Sequence, residues 1–163
     1  MVIHNFVTSN SKGKLGETLI KEYLQAKGWE VTDATRQQQL KKGIDFTVRK
    51  DGKSFALEVK TEYRAESTGN VFWEMEVDGK PGWTQKYKEG SQVLICTLLP
   101  IKRIVYMYFS KSLPRITSYV EDNFQSTKKI ITNQKGRSDK TYLSWGYLLP
   151  LEHLSKFAKM YTL

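Results

Sequence analysis

The chain has 163 residues, one domain's worth, long enough to bury a core without disulfides or metal staples. Hydrophobic residues make up 39% and charged residues 26%, which excludes a disordered chain, and a single cysteine, Cys96, excludes a disulfide framework. The net charge is +9 and uneven: residues 1–80 carry 13 basic and 12 acidic side chains, residues 81–163 carry 13 and 5, so the second half attracts polyanions while the first holds acids that need another reason.

In chain order, Leu15, Leu19, Ile20, Tyr23 and Leu24 recur at helical spacing and predict a helix over 12–27, capped by Ser11 and stopped at Gly28. Gly28-Trp29-Glu30-Val31 turns into a strand. Residues 36–42 read as a polar loop. Residues 44–49 and 54–60 read as strands around Asp51-Gly52, and Val71–Val77 alternates as a third. Val93–Leu99 is almost wholly apolar, as a central strand covered on both faces should be. Ile104–Phe109 is another strand, and Leu113, Ile116, Val120 and Phe124 suggest a helix opened by Pro114. Residues 128–133 and 141–149 suggest a basic hairpin, and Leu151, Leu154, Phe157, Ala158 and Tyr161 a closing helix. The expectation is one α/β domain, residues 1–163, with a mixed central β-sheet flanked by helices.

The chemistry concentrates in IDFTVRKDGKSFALEVK, residues 44–60. A two-residue loop at Asp51-Gly52 pairs Lys50 with Lys53, Val48 with Phe55, Phe46 with Leu57 and Ile44 with Val59. One face is then entirely apolar, so burial selects this register. On the other face Asp45 lies opposite Glu58, and Lys60 shares that face two residues on. Two carboxylates directly across a strand pair repel. A hard divalent cation taking oxygen ligands from both would offset the repulsion, and Lys60 could orient the attacking water or stabilise charge on phosphate. A surface salt-bridge cluster of the same three residues is the plainer alternative.

An acid opening one strand, then acid-x-Lys on the next, resembles the signature of the PD-(D/E)XK nuclease superfamily, most closely its small phage-type and archaeal Holliday-junction-resolving members. An upstream helix with a glutamate belongs to that pattern, and Glu17 supplies it here. The resemblance covers residues 12–109 in element order and rests on four motif residues. Ile44 stands where the name-giving proline would be, and residues 110–163, the basic hairpin and final helix, have no counterpart. The resemblance implies a restriction-endonuclease-like core and a Mg²⁺- or Mn²⁺-dependent DNA endonuclease. Asp45, Glu58 and the Val59 carbonyl would bind the metal, Lys60 would act on the nucleophilic water, and Glu17 would position metal or water. A simple i,i+4 pair with Lys21 is the alternative for Glu17.

Several basic residues are candidates for gripping nucleic acid: Lys12 and Lys14 at the first helix, Arg36, Lys41 and Lys42 before Asp45, and Lys86 in the aromatic-basic segment 83–88. Lys128, Lys129, Lys135 and Arg137 of the basic hairpin complete the set. Each can equally be an ordinary solvated charge. Glu62, Glu74 and Glu76 could extend a metal site, but a solvent-facing strand is preferred for the last two. No glycine loop of Walker or dinucleotide type is present, so no nucleotide cofactor is expected. Branched or four-way junction DNA is the expected partner, and a symmetric substrate calls for a homodimer. Trp73, Trp83 and Trp145 are interface candidates that core packing explains as well. A restriction-type or replication and repair nuclease with the same core is one alternative, and a non-catalytic nucleic-acid-binding protein another. No apolar run reaches the roughly 20 residues of a membrane helix, and the opening residues lack a secretory signal. A soluble cytoplasmic protein of phage or cellular origin, with no membrane partner, is expected.

Overall fold

A computed structural model describes residues 6–134 and 140–163. Helix α1 spans Phe6–Ala26, so it starts upstream of the expected boundary and Ser11 lies inside it rather than capping it. One serine does not halt a helix, because its intrinsic cost in a helix interior is only about a few tenths of a kcal/mol. The stop before Gly28 is as expected. Strand β1 (Glu30–Asp33) follows.

Residues expected as a loop form helix α2, Arg36–Lys42. Thr35 and Gln38 make a reciprocal capping box, each side chain bonding the other's backbone N–H. None of the α2 residues is buried, so the caps rather than core packing hold it.

Strands β2 (Phe46–Lys50) and β3 (Lys53–Thr61) form the hairpin in the expected register, Phe46 with Leu57 through Lys50 with Lys53. The ladder stops there. The expected Ile44–Val59 and Asp45–Glu58 pairs are replaced by side-chain bonding at Asp45. After helix α3 (Tyr63–Thr68) come β4 (Asn70–Val77), β5 (Lys80–Pro81), β6 (Val93–Leu99) and β7 (Ile104–Phe109). Helix α4 (Leu113–Asn123), strands β8 (Lys129–Gln134) and β9 (Thr141–Pro150), helix α5 (Leu151–Leu154) and strand β10 (Lys159–Thr162) complete the chain.

The strands divide into two sheets rather than the single sheet expected. Six strands run β1-β2-β3-β6-β7-β10, and four run β5-β4-β9-β8. In the larger sheet β3 and β6 are parallel and all other neighbours antiparallel, so it is mixed. The strand expected third, β4, cannot join it there: β3 already has β2 on one edge and β6 on the other. β4 pairs instead with β9, far along the chain. The expected closing helix is likewise corrected. Only Leu151–Leu154 is helical, and residues 159–162 extend along the free edge of β7.

Each face of the six-stranded sheet buries its own core, and β6 feeds both by alternation. Cys96 and Leu98 pack with Ile20 and Leu24 of α1 and with Phe46 and Leu57. Ile95 and Leu99 pack on the other face with Trp73, Tyr147, Leu149 and α4. Trp73 is fully buried and donates its indole N–H to Thr117 Oγ1 at 3.0 Å, while Trp83 lies edge-on against it at 5.0 Å. Both are therefore core and not interface. Among the described residues, no helix is long and apolar enough to cross a membrane.

Candidate active site

Asp45 sits where the chain leaves α2 and enters β2, and three hydrogen bonds hold it. Its N–H donates to the Leu57 carbonyl at 2.8 Å, its carbonyl accepts from Ala34 at 2.9 Å, and its Oδ2 accepts from the Val59 N–H at 2.7 Å. The carboxylate thus takes over the place of a ladder bond and cannot swing away. Burial pushes its carboxyl up to about 6; the Val59 N–H opposes this, while Glu17 and Glu58 add to it and Lys60 works against it.

Glu58 is only 3% exposed, in the middle of a sheet. A bare buried carboxylate would cost several kcal/mol, and two lysines offset this. Lys60 Nζ lies 2.6 Å and Lys86 Nζ 2.8 Å from the same oxygen, Oε1. The other oxygen, Oε2, is buried with no hydrogen-bond partner. Lys60 comes from the same strand face, as the i+2 spacing requires, and its ammonium lies 5.6 Å from the centre of the Trp83 ring.

Lys86 arrives from the segment between β5 and β6. That segment is pinned to β4 where Thr84 Oγ1 donates to the Glu74 carbonyl at 2.6 Å and the Trp83 N–H donates to Glu74 Oε1 at 3.3 Å. The pinning delivers Lys86 to Glu58, where burial lowers its ammonium pKa and Glu58 resists the lowering. Lys86, expected as a possible phosphate contact, is half-buried and ion-paired to this carboxylate. Gly43, the αL residue ending α2 (φ 64), makes room for this contact, because a Cβ there would collide with Lys86 Nζ.

Glu17 reaches the same region from α1. Gly16 lets the helix settle on the end of β3, since a Cβ at Gly16 would collide with the Thr61 hydroxyl. Glu17 is half-buried, and its carboxyl is raised first by burial and further by Asp33, with Lys14 opposing. The i,i+4 alternative is not what forms: Lys21 pairs with Asp33 at 2.9 Å.

Two of the acids that the sequence offered as possible extensions of a metal site, Glu62 and Glu74, join the cluster. Glu62 carries on the Glu58-Lys60 alternation past the end of β3, and its carboxyl is pushed up to about 7 by burial, with Lys60 and Arg64 opposing and Glu74 adding. Glu74 is half-buried and turned to the Trp83 N–H rather than to solvent. The signal for Glu62 was present in the sequence, as acid-x-Lys-x-Glu on a single strand face. The signal for Glu74 was not, because a register shift in β4 between Glu74 and Glu76 breaks the alternation.

The basic residues divide. Lys12 stacks over the Tyr63 ring at 5.0 Å, just beyond Glu62 in the chain, and Lys14 lies close enough to Glu17 to lower its pKa. Arg36, Lys41 and Lys42 are exposed on α2, which leads into Asp45. Lys128 and Lys129 belong to the other sheet's edge, where Lys128 lies over the Trp145 ring at 4.4 Å. Lys135 and Arg137 lie outside the described residues. Cys96 is fully buried in the α1 core and its thiol is pushed far up by burial, so it is no nucleophile.

The donor set suits a hard divalent cation in its chemistry: oxygen ligands, an excess of acid over base, and an unsatisfied Oε2 on Glu58. Among the described residues, no three acidic, His or Cys side chains converge on one point as they stand, Glu58 being turned to its lysines. No family model matches this sequence, and no curated protein or solved structure matches the chain.

Proposed function

We propose that the chain is a Mg²⁺- or Mn²⁺-dependent DNA endonuclease with a restriction-endonuclease-like core, acting in the cytoplasm as a homodimer on branched or four-way junction DNA. The observation that carries this reading is the clustering of Asp45, Glu58 and Lys60 on paired strands, with Glu17 brought in by α1 and Glu58 Oε2 left unsatisfied. Asp45, Glu58 and the Val59 carbonyl would hold the ion, which when bound lowers the pKa of water and neutralises charge on phosphorus. Asp45 is oriented for this by the Val59 N–H. Lys60 Nζ, placed beside Glu58, would donate to a water or to a phosphate oxygen. Lys86 gives the buried Glu58 carboxylate a second ion-pair partner. Glu17 stands ready to orient water from the helix side. Lys12, Lys14, Arg36, Lys41 and Lys42 supply positive charge near an otherwise acidic centre, which a DNA backbone needs in order to approach.

One observation favours a second reading. Glu58 Oε1 is already neutralised by two ammonium groups, a self-sufficient network for a nucleic-acid-binding protein without catalysis. The deciding experiment incubates end-labelled four-way junction, nicked, linear and single-stranded DNA with Mg²⁺, Mn²⁺ or EDTA, beside Asp45→Ala. Symmetric metal-dependent cuts in the junction alone, absent in the variant, are the expected result. Cutting of every substrate points to a restriction-type or repair nuclease. Binding with no cutting of any substrate sinks the enzymatic reading.

A further inference from the structure

The sheet face under α1 is only partly covered. α1 packs over β3 and β1, and beside its C-terminal end a groove of about 1010 Å³ runs over the sheet. Phe55 of β3, Leu94 of β6, and Met107 and Phe109 of β7 line it, none of them fully buried. An apolar sheet face is normally closed by another layer, and the volume is at the upper end of the roughly 300–1,000 Å³ typical of ligand sites. The groove lies at the opposite end of β3 from Glu58 and Lys60.

Its rim is strongly one-signed. Lys27, Lys50, Lys53, Lys156 and Lys159 line it, with Asp51 the one carboxylate among the lining residues. All five lysines but Lys50 are exposed, and Lys50 donates to the Lys27 carbonyl at 2.6 Å. Five cations around an apolar floor select an occupant with apolar side chains flanked by acids. A second copy of this chain, at net +9, would bring the same lysines against these. Single-stranded nucleic acid requires open ring faces on which bases stack. Here Phe55 and Phe109 meet edge-on at 5.2 Å, Trp29 is tilted against Phe55, and lysines sit over the rings of Tyr23 and Trp29. The floor is a trough, not a stacking platform.

We propose that this groove docks an acidic amphipathic peptide segment of a partner protein, its aliphatic or aromatic side chains on the Phe55–Met107 floor and its carboxylates on the lysine rim. Docking there is independent of the carboxylate cluster.

The test is fluorescence anisotropy with the full chain and three labelled probes. The first is a synthetic helical peptide with Leu and Phe on one face and Glu on the other; the second is the same peptide with Lys for Glu; the third is an oligothymidylate. The acidic peptide is expected to bind in a salt-sensitive manner and the lysine peptide not to bind. The double reversal Lys53→Glu with Lys159→Glu, both exposed positions, is expected to weaken the acidic peptide about tenfold or more and to let the lysine peptide bind. Phe55→Ala is expected to weaken it as well, with thermal melts confirming that both proteins are folded. Asp45→Ala is expected to leave the affinity unchanged, which separates this site from the proposed nuclease centre. Failure of the acidic peptide to bind, equal affinity in the reversed protein, or displacement of the peptide by oligothymidylate would each overturn the proposal.

Discussion

Strand β3 carries two opposite environments on one run of nine residues. Toward its start, Lys53 and Phe55 belong to an apolar groove edged with lysine. Toward its end, Glu58 and Lys60 belong to a buried cluster in which acids outnumber bases. The difference arises from what covers each end. Over the Glu58–Thr61 end, α1 through Gly16, α2 through Gly43 and the 83–86 segment all press inward, so charge there is desolvated and must find partners. At the Lys53 end the cover is missing, so apolar surface stays half-exposed and the charges stand apart on the rim in water. Burial raises the electrostatic stakes at one end and leaves hydrophobic area uncommitted at the other.

The largest expected effect breaks the buried end chemically. Asp45→Ala or Lys60→Ala should lower metal-dependent cleavage by about 10²–10³-fold or more, by analogy with loss of a charge-stabilising group, while groove binding persists. Gel assays on labelled junction DNA would show it. Cleavage by the wild-type protein should also decline as pH falls through about 6, because Asp45 must be ionised to serve as a ligand. A rate that is flat from pH 7.5 to 5 contradicts the assignment of Asp45.

Next comes the packing that creates the buried end. Gly16→Val drives a side chain into Thr61, and overpacking of this kind should cost about 1–3 kcal/mol. Urea unfolding would measure it, and the same protein should lose cleavage more than groove binding. Retention of both would mean that α1 does not position the site.

A smaller effect concerns pH and stability. Burial pushes the Glu62 carboxyl up to about 7, above the ordinary glutamate value of 4.5. The folded state therefore binds the proton more tightly, and this group destabilises the protein at pH 8. The penalty shrinks as pH falls through 7 and is gone below 4.5. Glu62→Gln should stabilise the metal-free protein by on the order of 1–2 kcal/mol at pH 8 and by almost nothing at pH 4.5. Melting curves at both pH values would reveal it, and equal shifts at the two would refute it. The smallest expected effect is at the periphery: Lys41→Ala should weaken DNA binding uniformly and reduce the salt slope by about 1, as read from titrations across ionic strength.

Much of the site was legible in the chain. Asp51-Gly52 is turn chemistry, and the alternating residues on either side admit only one register that buries a whole face, so the neighbourhood of Asp45, Glu58 and Lys60 followed from local physics. Helix α2 was legible as well, through Thr35-x-x-Gln38, but a polar composition masked it. Lys86 was visible as a basic residue and not as the partner of Glu58. They are 28 positions apart, joined by a segment whose anchors, Thr84 and Trp83, have meaning only once β4 is in place.

What the sequence by itself determined was whatever depends on spacing within one segment: the α1 stripe, the 44–60 hairpin, the doubly buried β6 and the charge asymmetry of the two halves. What only the tertiary structure decided was partnership. Val71–Val77 alternates as a strand of either sheet would, and residues 159–162 read as helix until the open edge of β7 offers hydrogen bonds. Periodicity reports which face of a segment is apolar. Which other segment covers that face, or leaves it bare as over Phe55 and Met107, is a long-range competition for edges and surface that no local pattern encodes.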